Sequence, residues 1–366
     1  MKAGLTITEM AAEIERQADV KVDYLVNPQK LEMESMGGSP MLRVLEGGVD
    51  QMEPLSIQET AHRQLGTHLG IPWKYYERML QEEPGLLSHN VNHWLRRGEP
   101  AQRMLRTMDG KARAFLSNRY WPIDNLEIVA TVLPLIMEMQ GARFESCQIT
   151  ENYMYLKVVN PKLTGEVRVG DIVQSGIVIS NSETGLGAVN VQPLLFRLAC
   201  LNGMVVNDSR ISTRRNHVGR ANSSDENFAL YSKETLEAER KAFMMKLQDS
   251  VKAAVDEARF TKVLDVMRES TQAKLDTRNI PALVKLTGSN FGFTEAEGKG
   301  VLQRLLENAD YTLYGLANAV TRHSQDVEDY DRASKLEAIG YDVMTMAPAM
   351  LRRINEESAA TAAIAA

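Results

Sequence analysis

Histidines are the first candidates for chemistry in this 366-residue sequence. His89 and His93 stand at positions i and i+4 of a predicted helix, a spacing that puts two imidazoles on one face and suits zinc. The residues between them lack the glutamate of an H-E-x-x-H motif. His62 and His68 lie nearby in the sequence, but neither stands at a spacing that completes a ligand set. Surface or capping histidines are therefore the simpler interpretation.

Acidic residues and cysteines offer little more. Four acids fall in predicted strands and leave open a metal-dependent nuclease; they are Glu145, Glu151, Glu166 and Asp171. Cys147 and Cys200 fit small core residues better than nucleophiles. The sequence contains neither a G-x-S-x-G elbow nor a G-x-x-x-x-G-K-[ST] phosphate loop. We therefore expect no catalytic residues, no metal site and no cofactor, and we predict that the protein is not an enzyme.

Basic residues are concentrated in the middle of the chain. Residues 1–90 have a net charge of −6, residues 91–220 of +5, and residues 221–366 of −5. The excess lies in two clusters, Arg96, Arg97, Arg103, Arg106, Lys111, Arg113 and Arg119, and then Arg210, Arg214, Arg215, His217 and Arg220. Arginine suits bidentate phosphate contacts and stacking on bases. The pattern favours polyanion binding, with a solvated strand face and loop as the alternative.

Aromatic residues are interleaved with the first basic cluster. Trp94 precedes two arginines, Phe115 lies between basic residues, and Tyr120 and Trp121 follow Arg119 directly. A basic groove with aromatic stacking surfaces is how proteins hold single strands without sequence preference. Tyr120 or Trp121 is predicted to stack on bases, and the alternative is that Phe115 and Trp121 are core residues of a sheet.

The pattern of elements predicts an α+β fold, in which a β-hairpin and an antiparallel sheet pack on helices. Residues 1–100 are predicted to be mostly helical, and Ser56 with Glu59 forms a capping-box pattern. Residues 101–221 form the α+β core with the basic face. They include a hairpin with an Asp109-Gly110 turn, a helix from Asn125, several strands, and a strand running into a helix over 189–202.

The remainder is predicted to be helical. Residues 222–232 have the composition of a linker, and 222–358 form a long helical region that begins with one amphipathic helix over 233–271. Residues 359–366 are predicted to be a disordered tail. No run of apolar residues is long enough for a membrane span, and acids interrupt the N-terminal sequence, unlike a signal peptide. We expect a cytoplasmic location in a bacterial cell.

Several long strings resemble a known family. They are LGIPWKYYERML, LLSHNVNHWL, RMLRTMDGKARAFLSNRYWPIDN, GDIVQSGIVISNSETGLGAVNVQPLLFRLACLNGMV and RRNHVGR. Together they resemble the phage/plasmid-like protein family built on domain of unknown function 932. Members often carry a His-Asp-Gly run where this chain has Ser182-Glu183-Thr184-Gly185, so no role resting on a histidine there is carried over. The order hairpin, helix, strands and helix is also similar to the architecture of RecT, Redβ and Erf single-strand annealing proteins.

These observations predict a phage- or plasmid-encoded protein that binds single-stranded DNA and anneals it during recombination. Its DNA contacts would be Arg96, Arg97, Arg103, Arg106, Lys111, Arg113, Arg119, Tyr120, Trp121, Arg214, Arg215, His217 and Arg220. The resemblance to annealing proteins implies a homo-oligomeric ring or filament, with a phage exonuclease or host protein as a further partner. The alternative is a non-enzymatic protein-interaction module with an anti-defence or regulatory role.

Overall fold

The computed structural model describes residues 1–45, 53–118, 120–207, 213–215, 233–254 and 256–365. These residues form twelve α-helices and twelve strands, arranged as two antiparallel-rich sheets and a helical C-terminal region. The predicted α+β fold is confirmed. No helix in these ranges is long and apolar enough to cross a membrane.

The first sheet is built from the N-terminal part of the chain. Its elements, with their helices, are α1 (Ile7–Val20), β1 (Val22–Val26), β2 (Leu31–Met36), β3 (Ser39–Val44), β4 (Leu55–Ile57), α2 (Glu59–His68), α3 (Trp73–Glu82), α4 (Pro84–Arg97), β5 (Arg103–Met108) and β6 (Lys111–Ser117). The strand order is β1-β5-β6-β4-β3-β2, and only β4 with β6 is parallel. Apolar side chains of α2, α3 and α4 pack with those of the strands in one core.

The second sheet follows directly. Its elements are α5 (Asn125–Glu138), β7 (Arg143–Ile149), β8 (Met154–Glu166), β9 (Ile172–Asn181), β10 (Val189–Arg197), β11 (Asn202–Val205) and β12 (Thr213–Arg215). The order is β11-β10-β9-β8-β7, all pairs are antiparallel, and β12 pairs with β10. One face of this sheet shares a core with α1 and α5.

The C-terminal region is helical. It consists of α6 (Lys233–Ala254), α7 (Glu257–Ser270), α8 (Ile280–Phe291), α9 (Glu295–Asn308), α10 (Leu313–His323), α11 (Tyr330–Met344) and α12 (Pro348–Ala365). Side chains of α7–α12 form a core that includes Val173 and Leu195 of the second sheet. The last helix extends over residues 359–365, which the sequence assigned to a disordered tail. The predicted linker 222–232 lies outside the described residues.

Three local predictions differ from the structure. Ser56 lies in β4 rather than in a capping box, because its backbone pairs with Met41 of β3 and Lys111 of β6. The helix predicted in the second half of 189–202 is wrong: β10 continues to Arg197, and its dense apolar pattern arises because consecutive residues 193–196 are all buried. The single helix over 233–271 is instead two helices, and Asp256 caps the second by accepting from the backbone N–H of Arg259.

The hairpin β5–β6 has the predicted turn, but it belongs to a different sheet from the one predicted. Asp109 and Gly110 have φ values of 52° and 70°, the left-handed pair that a tight hairpin turn requires. The hairpin pairs with β1 and β4, so it belongs to the first sheet and not to the sheet of β7–β11. It therefore stands where the first sheet meets the loop that follows β9.

Candidate functional site: a buried charge cluster beside a polar cavity

The loop between β9 and β10 is buried and is held by its own side chains. Ser182, Glu183 and Thr184 are each at most 3% exposed. The hydroxyls of Ser182 and Thr184 are 3.1 Å apart, and the Ser182 hydroxyl accepts from the backbone N–H of Leu186 at 3.3 Å. The Thr184 carbonyl accepts from the amide of Gln64 in α2 at 2.7 Å. The loop is thus fixed between the two sheets.

Glu183 is the central carboxylate of this region. Its Oε2 accepts from Nη2 of Arg113 at 2.9 Å, and its Oε1 lies 3.3 Å from Nζ of Lys21. Oε1 also accepts from the backbone N–H of Asn125, the first residue of α5, at 2.8 Å. A carboxylate at a helix N-terminus satisfies an unpaired N–H and interacts favourably with the helix dipole.

Arg106 crosses the same cluster from β5. It is 1% exposed and donates to Asp23 at 2.9 Å, to Asp124 at 2.8 Å and to the Glu183 carbonyl at 2.9 Å. Asp124 also pairs with Lys21 at 2.9 Å. Asp124 is the N-cap residue of α5, but its side chain makes no capping bond because Lys21 and Arg106 hold it.

Three cations and three carboxylates therefore balance within the cluster, which we define as Lys21, Arg106, Arg113, Asp23, Asp124 and Glu183. Burial opposes ionisation of Glu183, but the charge of Arg113, with those of Lys21 and Arg106, outweighs it and lowers the Glu183 pKa. Burial likewise raises the pKa of Asp124, but the charge of Arg106 lowers it more strongly, so the pKa of Asp124 is also lowered. Glu183 and Asp124 are therefore ionised at neutral pH, and the cluster joins the hairpin to the second sheet.

A polar cavity of about 170 Å³ adjoins the cluster. Arg113 and Glu183 line one side, and Met108 of the hairpin lines another. The remaining lining residues are Gln17, Gln58, Asn125, Ile149, Thr150, Glu151, Asn152 and Tyr153. Glu151 is exposed, so the cavity has a solvent-facing side. The arrangement can bind a small polar group, and nothing in it resembles an activated nucleophile.

The structure separates the predicted DNA contacts into two groups. Arg106 and Arg113 are buried in ion pairs with carboxylates, so in this conformation they are placed to hold the hairpin rather than to contact phosphate. Arg97 and Lys111 are exposed and Arg103 is half-buried, while Arg96 is exposed beside Glu32 at 3.2 Å.

The second basic cluster is described only in part. The backbones of Arg214 and Arg215 lie in β12, opposite Asn190 and Val189 of β10. The predicted contacts Arg119, His217 and Arg220 lie outside the described residues, as does Arg210.

The aromatic residues also divide. Tyr120 is 6% exposed and its hydroxyl donates to the Ser182 carbonyl at 3.2 Å, which places it against the buried loop and not on a surface. Trp121 is half-buried and packs against the core of the second sheet. Trp94 on α4 is 46% exposed and stands three residues before Arg97, so it is the better-placed stacking surface.

The other chemical candidates stay apart. His62 is buried with Nδ1 2.9 Å from the Tyr76 hydroxyl, whereas His89 and His93 are exposed on α4. Throughout the part of the chain that the structure describes, no three histidine, cysteine or acidic residues are grouped to hold a metal ion. Cys147 is buried in β7, where burial raises the pKa of its thiol to about 11.

Sequence reasoning missed the acidic half of the cluster. Asp23 stands at a sheet edge, Asp124 directly precedes the helix predicted from Asn125, and Glu183 was noted only as a departure from a family pattern. In the sequence these three acids share only one property: each is a single acid next to a β-branched or small residue. That pattern is too common to identify members of a buried cluster. The cluster exists because four segments meet: the start of β1, the hairpin β5–β6, the N-terminus of α5 and the loop after β9.

Comparison with known proteins identifies a family but no activity. No protein of curated function and no solved structure matches the chain. The model of the family described as domain of unknown function (DUF932) matches residues 114–359, which is well over half of the sequence. The match includes the second half of β6, the second sheet, the loop with Glu183 and the helical region as far as Ala359. This protein belongs to the DUF932 family.

Proposed function

We propose that this protein binds single-stranded DNA and anneals complementary strands during recombination, as a protein of phage or plasmid origin. One observation carries the proposal: two basic segments that are far apart in the sequence meet at one end of the second sheet. The hairpin β5–β6 reaches the loop after β9 through Arg106 and Arg113, and β12 pairs with Val189–Val191, directly after that loop.

The phosphate contacts that we propose are basic residues of the same region that do not belong to the buried cluster and that reach solvent. Arg103 begins β5 and Lys111 begins β6, so they mark the two ends of the hairpin, and Arg97 precedes them at the end of α4. We also propose contacts from Arg214 and Arg215, whose backbones lie in β12 beside the start of β10. Arg106 and Arg113 are buried, and their ion pairs with carboxylates hold the hairpin in place between these cations.

The side chain that we propose to stack on bases is Trp94. Its ring is exposed and lies edge-on to His93, with Arg97 one helical turn further along α4. Aromatic stacking tolerates any base, because each base has a π face. Annealing requires charge neutralisation and positioning of strands, and it forms no covalent bond. The proposed homo-oligomer, a ring or filament, would extend such a surface along a strand.

Fluorescence anisotropy of a labelled single strand, titrated with protein at several salt concentrations, tests the proposal. Each phosphate contact on a single strand contributes about −0.7 to the slope of log K against log salt. The triple variant Arg97→Ala/Arg103→Ala/Lys111→Ala is expected to make the slope less negative by about 2.

The matched control removes three exposed lysines of the C-terminal helices, Lys262→Ala/Lys285→Ala/Lys299→Ala, and should leave the slope unchanged. A strand-pairing assay with complementary oligonucleotides then measures annealing itself. Absence of salt-dependent binding at low salt would refute the proposal and favour the protein-interaction alternative.

A further inference from the structure

We infer that the cavity beside Glu183 binds a single pyrimidine base. The inference rests on the proposed function, since the base would belong to a bound strand. Enzymes and binding proteins that take a base out of the stack hold it in a pocket through hydrogen bonds to its edge and contacts to its ring. Size, polarity and location of the cavity each agree with that use.

Size limits the occupant to one ring. The cavity measures about 170 Å³, close to the engineered protein cavity of about 150 Å³ that accommodates benzene. A six-membered ring therefore fits and leaves little space over, so we assign the cavity to a pyrimidine rather than to the larger purine.

Polarity excludes a plain hydrocarbon. The lining includes four side-chain amides, Gln17, Gln58, Asn125 and Asn152, and two carboxylates, Glu151 and Glu183. Oδ1 of Asn125 already accepts from Asn181 and Oδ1 of Asn152 from Thr60, so Gln17 and Gln58 are the amides that we propose to pair with a base edge. Carboxylates accept from the exocyclic amine of cytosine. Ile149, Met108 and Tyr153 supply apolar contact area for the ring.

Acceptor capacity remains at the buried end. Oε2 of Glu183 accepts from Arg113, and a carboxylate oxygen has a second lone pair for a ligand donor. At the exposed end Oε1 of Glu151 lies 3.4 Å from Nε2 of Gln58, a weak contact that a ligand can replace. A ligand amine therefore finds an acceptor at either end.

Location connects the cavity with the proposed strand path. Met108 lines the cavity and is the last residue of β5, three positions before the exposed Lys111 across the hairpin turn. A nucleotide with its phosphate at Lys111 therefore has its base within reach of the cavity. Neighbouring bases of the strand would remain outside it.

Short labelled strands of oligo(dC), oligo(dA) and an abasic chain of equal length form the first arm of the test. Oligo(dC) is expected to bind at least about fivefold more tightly than the abasic strand. Gln58→Trp fills the cavity at a half-buried position and should reduce this preference to the part that stacking on Trp94 supplies. Glu151→Leu removes an acceptor without filling the space and should reduce the preference. The matched control Gln303→Trp, on the exposed side of α9, should retain it.

Free cytidine, titrated against the protein and detected calorimetrically, is the second arm and separates a strand base from a free nucleoside. A preference for oligo(dC) over the abasic strand that is unchanged in every variant would overturn the pocket and leave the proposed function standing. Cytidine binding that Gln58→Trp abolishes, without any strand binding, would support the pocket and refute the proposed function. Failure of both arms would overturn both.

Discussion

Removal of either partner of the Arg113–Glu183 ion pair is expected to destabilise the fold strongly. Their charged atoms are 2.9 Å apart, and the side chains are 6% and 3% exposed. Two charges about 4 Å apart attract by about 4 kcal/mol at an effective dielectric constant of 20. Desolvation offsets most of that gain while the pair is intact, but one charge left alone in the interior costs about 3–5 kcal/mol.

The two single variants should differ in a defined direction. Arg113→Met leaves Glu183 with Lys21 at 3.3 Å and the backbone N–H of Asn125 at 2.8 Å, so we expect a loss of about 3 kcal/mol. Glu183→Gln removes the carboxylate that faces Arg113, so we expect a larger loss, near 5 kcal/mol. Urea titration followed by circular dichroism measures both.

The double variant Arg113→Met/Glu183→Gln decides whether the two residues act as a pair. Its cost should fall below the sum of the single costs by more than 1 kcal/mol, since residues in one ion-pair network couple. As the control, Arg78→Ala breaks an exposed pair with Glu82 and should cost less than about 1 kcal/mol. Additive losses within about 0.5 kcal/mol would refute the structural role that we assign to this pair.

Three further predictions follow from buried groups. Burial raises the pKa of Glu183, but the neighbouring cations lower it more strongly, so the folded pKa lies below 4.5. The contribution of Glu183 to stability is therefore present above pH 4.5 and is lost as the pH falls through the folded pKa. On acidification, the urea midpoint of Glu183→Gln should fall less than that of the wild type. Lys157 and Glu337 pair at 2.7 Å with no exposed side-chain area, so Lys157→Met should cost about 3–5 kcal/mol and Lys157→Met/Glu337→Met should recover most of it in the same urea assay. A thiol reagent should modify half-buried Cys200 in the native protein and Cys147 only after denaturation, and rapid modification of both would contradict the burial of Cys147.

Local patterns were predictable where local geometry decides the outcome. The Asp109-Gly110 turn follows from the few residues that tolerate positive φ, and α5 begins at Asn125 as predicted. Ser56 shows the limit, because its capping pattern competes with strand pairing that only the assembled sheet provides. The same holds for β10, where burial on both faces removes the alternation that identifies a strand.

The candidate site was less predictable, because charge along a sequence is not charge on a surface. Arg106 and Arg113 added to the basic middle of the chain, yet their compensating acids come from three other segments, at Asp23, Asp124 and Glu183. If two of the seven cations in the first cluster are withdrawn in this way, the largest slope that the cluster can give in log K against log salt decreases from about −5 to about −3.5. The measured slope of log K against log salt therefore reports which cations contact the strand. If Arg113→Met made this slope less negative by as much as Lys111→Ala does, Arg113 would contact DNA rather than belong to the cluster.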